Sequence, residues 1–255
     1  MRNKIAGIKI RLRGTQLFKC VKSKLDFVET SVAGIKLNAH PLDWNFWVST
    51  HEDSWEPDTI RIFRENLGPG VLYCDIGAWV GPTVLLAAGL GANVTCFEPD
   101  PSAYERLLHN IRGNKLSNIQ PFQIALSSSD GIRSIVPITK NLGQSSSSIH
   151  IQASGKESAG VLALSWDSAC RLLKLPNYDF IKIDIEGGEH DLLPSMMSYL
   201  AEHRPKVLLS THLPFIEKNK REDYIKVIDS IWELYPNSAR PNISSMMEGF
   251  SILLI

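Results

Sequence analysis

Short apolar runs alternate along this chain with longer stretches in which apolar residues recur every three or four positions. The runs read as buried strands and the stretches as helices. Val71-Leu-Tyr-Cys-Asp-Ile76 is largely apolar at odd and even positions alike, as a strand covered on both faces requires. Pro82 to Ala88 reads as a helix with proline in its first turn. The alternation continues with strand Asn93–Glu98, helix Ser102–Asn110 and a short strand Ile119–Ala125. Strand Asp179–Asp184, a helix Leu192–Leu200 interrupted near Pro194, and strand Lys206–His212 follow. Helix Arg221–Leu234 and an apolar strand Phe250–Ile255 close the pattern. Strands alternating with helices predict an open α/β sheet with its ligand at the carboxyl ends of the strands.

Upstream of this pattern, Glu56 to Leu67 reads as a helix stopped by Gly68-Pro69-Gly70. Thr30 to Asn38 alternates as a strand or half of a hairpin. His40 to Trp47 is aromatic-rich and irregular; Trp44, Phe46, Trp47 and Trp55 either line a substrate cleft or cover the core. Residues at about 129–168 read as a small β insert, with Ile132–Ile138 and Val161–Leu164 as a hairpin. The polar loop Asn141–Ser148 inside it reads as surface, placed where a lid over a site would stand. The expected division is a basic arm and aromatic-rich extension over 1–55, then one α/β domain over 56–255.

A chain of 255 residues buries about three quarters of the surface of its unfolded form, so it needs no disulfide or metal as a staple. Its 27 basic and 27 acidic residues balance, which argues against general nucleic-acid binding. Cys20, Cys74, Cys96 and Cys170 form no C-x-x-C, and a reduced, cytoplasmic setting is expected. No run has the apolar length to span a bilayer, and no cleavable signal pattern is visible. The balance hides one asymmetry. Arg2, Lys4, Lys9, Arg11, Arg13, Lys19, Lys22 and Lys24 all precede the first acid, Asp26, and apolar residues are interleaved with them. The favoured reading is a solvated, partly helical arm packed on the domain or on a second subunit. Its rival is an amphipathic segment resting on an anionic membrane or polyanionic glycan.

Two strand exits carry the chemistry. The first reads Asp75-x-Gly77-x-x-x-Gly81, where a dinucleotide site would read G-x-G-x-x-G. Asp75 would repel a pyrophosphate, whereas a cationic adenosyl ligand without phosphate suits the turn; S-adenosylmethionine is such a ligand. Glu98 lies 21 residues after Gly77, the place for a carboxylate that accepts both ribose hydroxyls. The exit Ala125-Leu126-Ser127 would sit beside an adenine ring. The second exit gathers Asp184, Glu186 and Glu189 within six residues, which is unfavourable unless a cation offsets it. His212 ends the next strand. It is the first candidate base because histidine titrates near neutrality. Asp184 and Glu186 are alternatives, as base or as orienters of an acceptor hydroxyl, and His190 is a substitute. A divalent ion on Asp184, Glu186 and His212 is a further alternative; a metal-free mechanism is the expectation.

Asp75-Ile-Gly-Ala-Trp-Val-Gly81, Glu98-Pro99 and Ile181-Lys-Ile-Asp-Ile-Glu-Gly-Gly-Glu189 together resemble the FkbM family of methyltransferases, over about Glu56 to His212. The resemblance implies a class I methyltransferase fold, Rossmann-like, with a seven-stranded, mostly parallel sheet and one antiparallel strand. It implies S-adenosylmethionine as cofactor and O-methylation as the reaction. Cofactor contacts are expected at Glu56, Asp75, Gly77, Ala78, Gly81, Glu98, Pro99, Ala125 and Asp184, and catalysis at His212, Asp184 and Glu186. The chain departs from the family pattern at Trp79, where asparagine is usual, and at Pro82, where an aromatic is usual. Ser210-Thr-His212 stands in place of Glu-x-His. The acceptor class implied is a hydroxyl on a sugar of a polysaccharide or glycolipid, with a macrolide-type natural product as the alternative. Two other classes compete. A nicotinamide-dependent oxidoreductase needs a third glycine and a tyrosine–lysine pair, neither of which is evident. A non-catalytic member of the fold would bind a partner through its aromatic N-terminal region.

Overall fold

The structure is a computed structural model that describes residues 26–51, 55–137, 147–148, 158–239 and 250–255. The basic arm over 2–25 and most of the loop Asn141–Ser148 lie outside the described residues.

Strands β1 (Val28–Val32) and β2 (Ile35–Ala39) form an antiparallel hairpin. Ala33 and Gly34 turn it with φ of 50° and 77°, the paired positive values a two-residue hairpin loop demands. The segment read as a strand or half-hairpin is thus a whole one. The segment from His40, read as irregular, is helical: a 3-10 turn over Pro41–Asp43 runs into helix α1 (Trp44–His51). The His40 imidazole accepts from the Leu42 N–H, and Pro41 opens the turn. These caps carry an aromatic stretch of modest intrinsic helix propensity.

The α/β part follows in order: α2 (Pro57–Asn66), β3 (Leu72–Ile76), α3 (Pro82–Gly89), β4 (Asn93–Phe97), α4 (Pro101–Gly113) and β5 (Ile119–Phe122). Next come β6 (Ala125–Leu126), β7 (Gly131–Pro137), β8 (Ser147–Ser148), β9 (Ala159–Leu164) and α5 (Trp166–Leu173). The chain returns through β10 (Phe180–Ile183), α6 (Glu189–His203), β11 (Lys206–Thr211), α7 (Arg221–Leu234) and β12 (Phe250–Leu254).

Among the described residues the central sheet has six strands in the order β12-β11-β10-β3-β4-β5. Only β12 runs antiparallel. This is the α/β, mostly parallel sheet with one antiparallel strand that the resemblance implies. The expected seventh strand is not among the described residues; 240–249, between α7 and β12, lie outside them. Strand order turns back at β3, between β4 and β10, and such a switch point opens a crevice at the carboxyl ends.

Two expectations need correction. Ile119 to Ala125 is not one strand: β5 stops at Phe122, and Ala125 and Leu126 join a second sheet beside β9. Pro121 is tolerated in β5 because β5 is an edge strand. Nor does Pro194 interrupt its helix, since α6 runs unbroken from Glu189 to His203. The proline forgoes one bond near the helix start, and the flanking turns continue.

The insert forms a second sheet in the order β6-β9-β7-β8, with β7 antiparallel to β9 as the hairpin reading predicts. Side chains alternate across the central sheet. Cys74 and Ile76 of β3, with Ile181 and Ile183 of β10, enter the core shared with α6 and α7. Tyr73 and Phe180 enter the opposite core, built from Phe63, Val84, Leu85 and Leu86 together with Val28, Leu37 and Trp47 of the N-terminal hairpin and α1. Alternation places Asp75 and Lys182 on this second face.

Candidate active site

A cleft of about 420 Å³ opens at the carboxyl ends of β3, β10 and β11. Its floor is the turn after β3. Gly77 and Gly81 adopt φ of 88° and 89° there, values that a Cβ would strain. Gly77 has a second constraint. A methyl group on it would overlap the carbonyl oxygen of Asp184 and come within 2.9 Å of its carbonyl carbon. The bare backbone thus lets β10 close on β3, with Asp184 N–H donating to the Ile76 carbonyl at 3.0 Å.

Asp75 is fully buried under this floor. Its Oδ2 accepts from Tyr73 Oη at 2.8 Å and Thr83 Oγ1 at 2.5 Å. Lys182, its neighbour across the β3–β10 register, holds Nζ 3.7 Å from Asp75 Oδ1 and 3.0 Å from Asp184 Oδ2. Burial alone would discharge Lys182; Asp184, Asp75 and Glu56 outweigh it and hold the pKa above that of an ordinary lysine. Burial likewise lifts Asp75 above the usual carboxylate range, with Lys182, Thr83 and Tyr73 pulling it back. For Asp184 the balance reverses: burial would raise it, but Lys182 and His212 hold it low.

His212 joins three carboxylates. Its Nδ1 stands 2.8 Å from Oε1 of the fully buried Glu189. Its Nε2 faces Asp184 Oδ1 at 3.4 Å and Glu186 Oε2 at 3.7 Å. Phe215 stacks on the imidazole, and Tyr224 Oη accepts from the His212 backbone N–H at 3.0 Å. Burial lowers the pKa of His212, yet Glu189, then Asp184 and Glu186, push it up to about 9. Asp184, Glu186 and His212 offer ligand atoms within 4.8 Å of one another, close enough to share one divalent cation. The chain turns after β10 through two residues of positive φ, 54° at Glu186 and 95° at Gly187. Gly188 is ordinary and caps α6.

Glu98 stands at the exit of β4. Its two oxygens accept from the N–H groups of Trp79 and Asp100, both at 2.7 Å. Burial lifts its pKa to about 7, against the pull of those two bonds. Glu56 lines the cleft from the start of α2, and burial raises it above the ordinary range.

The acid-rich exit beside a glycine turn at the switch point is the arrangement the resemblance implies. A model of the FkbM methyltransferase domain matches residues 75–239. The chain belongs to the FkbM methyltransferase family. That membership favours methyl transfer over the oxidoreductase and non-catalytic readings. A relative, hexuronic acid methyltransferase AglP of Haloferax volcanii, is 28% identical over 164 residues, 61% of this chain and 65% of that protein. The chain thus spans just under two thirds of that relative's length. Among solved structures, the methyltransferase FkbM from Methylobacillus flagellatus shares 17% identity at a TM-score of 0.49, over 77% of this chain and half of that one. Fibrillarin from Aeropyrum pernix, with bound S-adenosyl-L-methionine, shares 10% at 0.42, over 74% and 68%.

Within this FkbM chain the residues expected at the site separate into groups. Glu56, Gly77, Ala78, Asp184, Glu186 and His212 line the cleft. Asp75 and Gly81 lie beneath it as supports; Gly81 opens α3 against Leu107. Glu98 and the half-buried Pro99 stand at the β4 exit and do not themselves line the cleft. Ala125 is not brought to the cleft: it packs with Ile135, Val161 and Ala163 in the core of the insert. His190 also stands apart, on α6, with Nδ1 2.9 Å from the Gly187 carbonyl. Sequence reasoning passed over Lys182 and the partnership of Glu189 with His212, and marked Trp79 only as a departure from the family pattern. A signal for Lys182 was present, because a lone lysine in a run as apolar as Phe180-Ile-Lys-Ile183 must be paired when buried. Of the four aromatics weighed upstream, Phe46 and Trp55 line the cleft and Trp47 is buried in the core. No helix among the described residues is long and apolar enough to cross a membrane. Cys74, Cys96 and Cys170 are free thiols.

Proposed function

We propose that this enzyme transfers a methyl group from S-adenosylmethionine to a hydroxyl oxygen of a saccharide. The observation that carries the reading is the convergence of Asp184, Glu186 and His212 on one side of the glycine turn. The AglP relative, named for a hexuronic acid, supports a sugar acceptor.

The residues present suit the cofactor. Carboxylates predominate around the cleft, which favours a cationic ligand and disfavours a pyrophosphate. Glu98 offers a buried carboxylate where ribose hydroxyls would lie, and Gly77 and Ala78 leave the floor open to close approach. When bound, S-adenosylmethionine supplies an electrophilic methyl carbon on a sulfonium, and transfer leaves a neutral thioether.

The chain aligns the acceptor oxygen and accepts its proton. Alignment alone supplies roughly 7–11 kcal/mol. Asp184 and Glu186 orient the hydroxyl, and His212 Nε2 takes the proton as the oxygen–carbon bond forms. In the unliganded site His212 is an imidazolium at neutral pH, because its pKa stands at about 9. The ordinary reason for choosing histidine, titration near neutrality, therefore does not hold here as it stands. A second positive charge in the cleft pulls that pKa down, so the base is freed when the cleft holds a cation.

The test is transfer of radiolabelled methyl from S-adenosylmethionine to an extracted polysaccharide and glycolipid fraction, with calorimetry of S-adenosylhomocysteine and NAD alongside. Label on a sugar oxygen with selective binding of S-adenosylhomocysteine is the expected result. Tighter binding of NAD, or label recovered only on non-carbohydrate acceptors, refutes the reading.

A further inference from the structure

The cleft has two unlike walls. One is aromatic: Phe46 of α1 meets Trp79 edge-to-face at 4.7 Å and Trp55 at 5.5 Å between ring centroids, and all three line the space. The wall is held in place at Trp79, whose backbone is in the left-handed region at φ 48° and whose N–H is bonded to Glu98. The other wall is the set of hydrogen-bonding groups at the β10 and β11 exits. A ligand filling both needs an apolar face for stacking and a hydroxyl edge. A pyranose ring has that shape, with C–H bonds on its faces and hydroxyls on its rim.

Charge narrows the choice. Asp75, Asp184, Glu186 and Glu189 lie in or under the second wall. Lys182 and His212 are the cations lining the cleft among the described residues. Both are already engaged: Lys182 sits between Asp75 and Asp184, and His212 among Asp184, Glu186 and Glu189. An acidic sugar would bring one more carboxylate against this wall, and no uncommitted cation lines the cleft among the described residues to receive it. Like-charge juxtaposition in a partly desolvated site is strongly disfavoured.

Building on the sugar-methylating reading, we infer that the acceptor is an uncharged pyranoside stacked on the Phe46–Trp55–Trp79 wall, and that uronic acids are rejected. The chain would differ in this from the relative whose name specifies a hexuronic acid.

The experiment is a glycan array of neutral pyranosides, N-acetylhexosamines and uronate-containing glycans, probed with the full chain saturated with S-adenosylhomocysteine. Binding confined to the uncharged members is expected. Trp55→Ala should lower that signal about tenfold and Trp55→Phe only about threefold, since a phenyl keeps part of the platform. Calorimetric affinity of both variants for S-adenosylhomocysteine should stay within about twofold of the parent, which shows that the variants are folded. Preference for uronate glycans, binding to no member of the array, or an undiminished signal from a folded Trp55→Ala each overturns the inference. Labelled methyl transfer to an acidic glycan would sink this inference alone and leave sugar methylation standing. Failure to bind S-adenosylhomocysteine at all would instead sink the reading on which it rests.

Discussion

Replacing Gly77 by alanine tests the closest backbone approach in the site. Two costs add. The first is conformational: an L-residue at φ 88° pays roughly 1–2 kcal/mol for the left-handed region. The second is steric. The new methyl overlaps the Asp184 carbonyl oxygen and lies 3.1 Å from Ile185 Cγ2. The obstacle is the backbone of a neighbouring strand, so no side chain can swing aside. Overpacking of this kind costs roughly 1–3 kcal/mol. The sum, roughly 2–5 kcal/mol, is a large share of a typical stability of about 5–15 kcal/mol. Gly34→Ala is the matched control: its φ is 77°, but nothing lies within 4 Å of the position a methyl would take. It should show the conformational cost alone. At about 2–4 °C per kcal/mol for a domain of this size, the steric part alone, roughly 1–3 kcal/mol, should make Gly77→Ala melt below Gly34→Ala by roughly 2–12 °C in differential scanning calorimetry. Because Asp184 is the residue displaced, Gly77→Ala should also lose affinity for S-adenosylhomocysteine, and Gly34→Ala should not. Equal melting points for the two variants would refute the claim that Gly77 serves the β3–β10 approach.

His212→Ala should lower kcat by about 10²–10⁴-fold with cofactor affinity nearly constant, measured by methyl transfer and calorimetry; near-normal turnover would make the histidine structural. Its titration also predicts a stability slope. The folded pKa of about 9 stands above the ordinary 6.5, so the contribution is complete below pH 6.5 and is lost as pH rises through 9. Urea denaturation should then show a decline of up to about 3 kcal/mol across that window, flattened in His212→Asn; identical slopes in the two proteins would contradict it. Glu98, with a pKa of about 7 in the free protein, must be ionised to accept ribose hydroxyls. Affinity for S-adenosylhomocysteine should therefore climb by up to about tenfold per pH unit below 7 and level off above it, and a parallel curve for Glu98→Gln would remove Glu98 from the ribose site. Treatment with a chelator should leave methyl transfer unchanged; loss restored by Mg²⁺ or Mn²⁺ would make Asp184, Glu186 and His212 ligands.

The strands and helices that surround the site were readable because each has one dominant period. Val71–Ile76 and Asp179–Asp184 are apolar through both parities, and both proved central in the sheet. What local pattern could not show were contacts made across the sheet. Glu189 and His212 are 23 positions apart, and nothing near either residue announces the other. The split of Ile119–Ala125 was hidden because Gln123 and Ile124 carry no turn signal, so a change of sheet looks like continuous strand. Helix α1 was hidden because its aromatic residues favour extended structure in isolation, and the capped turn before it together with packing against the hairpin makes them helical. The hairpin turn was obscured by Ala33, which occupies a position where glycine or asparagine would have advertised the bend. Trp79 is the same case within the site. Asparagine, the residue usual in the family, tolerates φ near 48°, whereas tryptophan is held there by Glu98 and Phe46.

The family match begins at residue 75. Asp184, Glu186 and His212 fall inside it, whereas Phe46 and Trp55 fall before it. The groups proposed to orient and deprotonate the acceptor and most of the wall opposite them thus come from separate stretches of chain, and mutation can alter one without passing through the other. A lineage could exchange its acceptor by redrawing the segment from Trp44 to Trp55 and leave the transfer chemistry untouched. That freedom is bounded, because Trp47 and the hairpin contribute to the same core as Val84 and Leu85. Grafting this segment between relatives should succeed only when the facing residues of α3 travel with it.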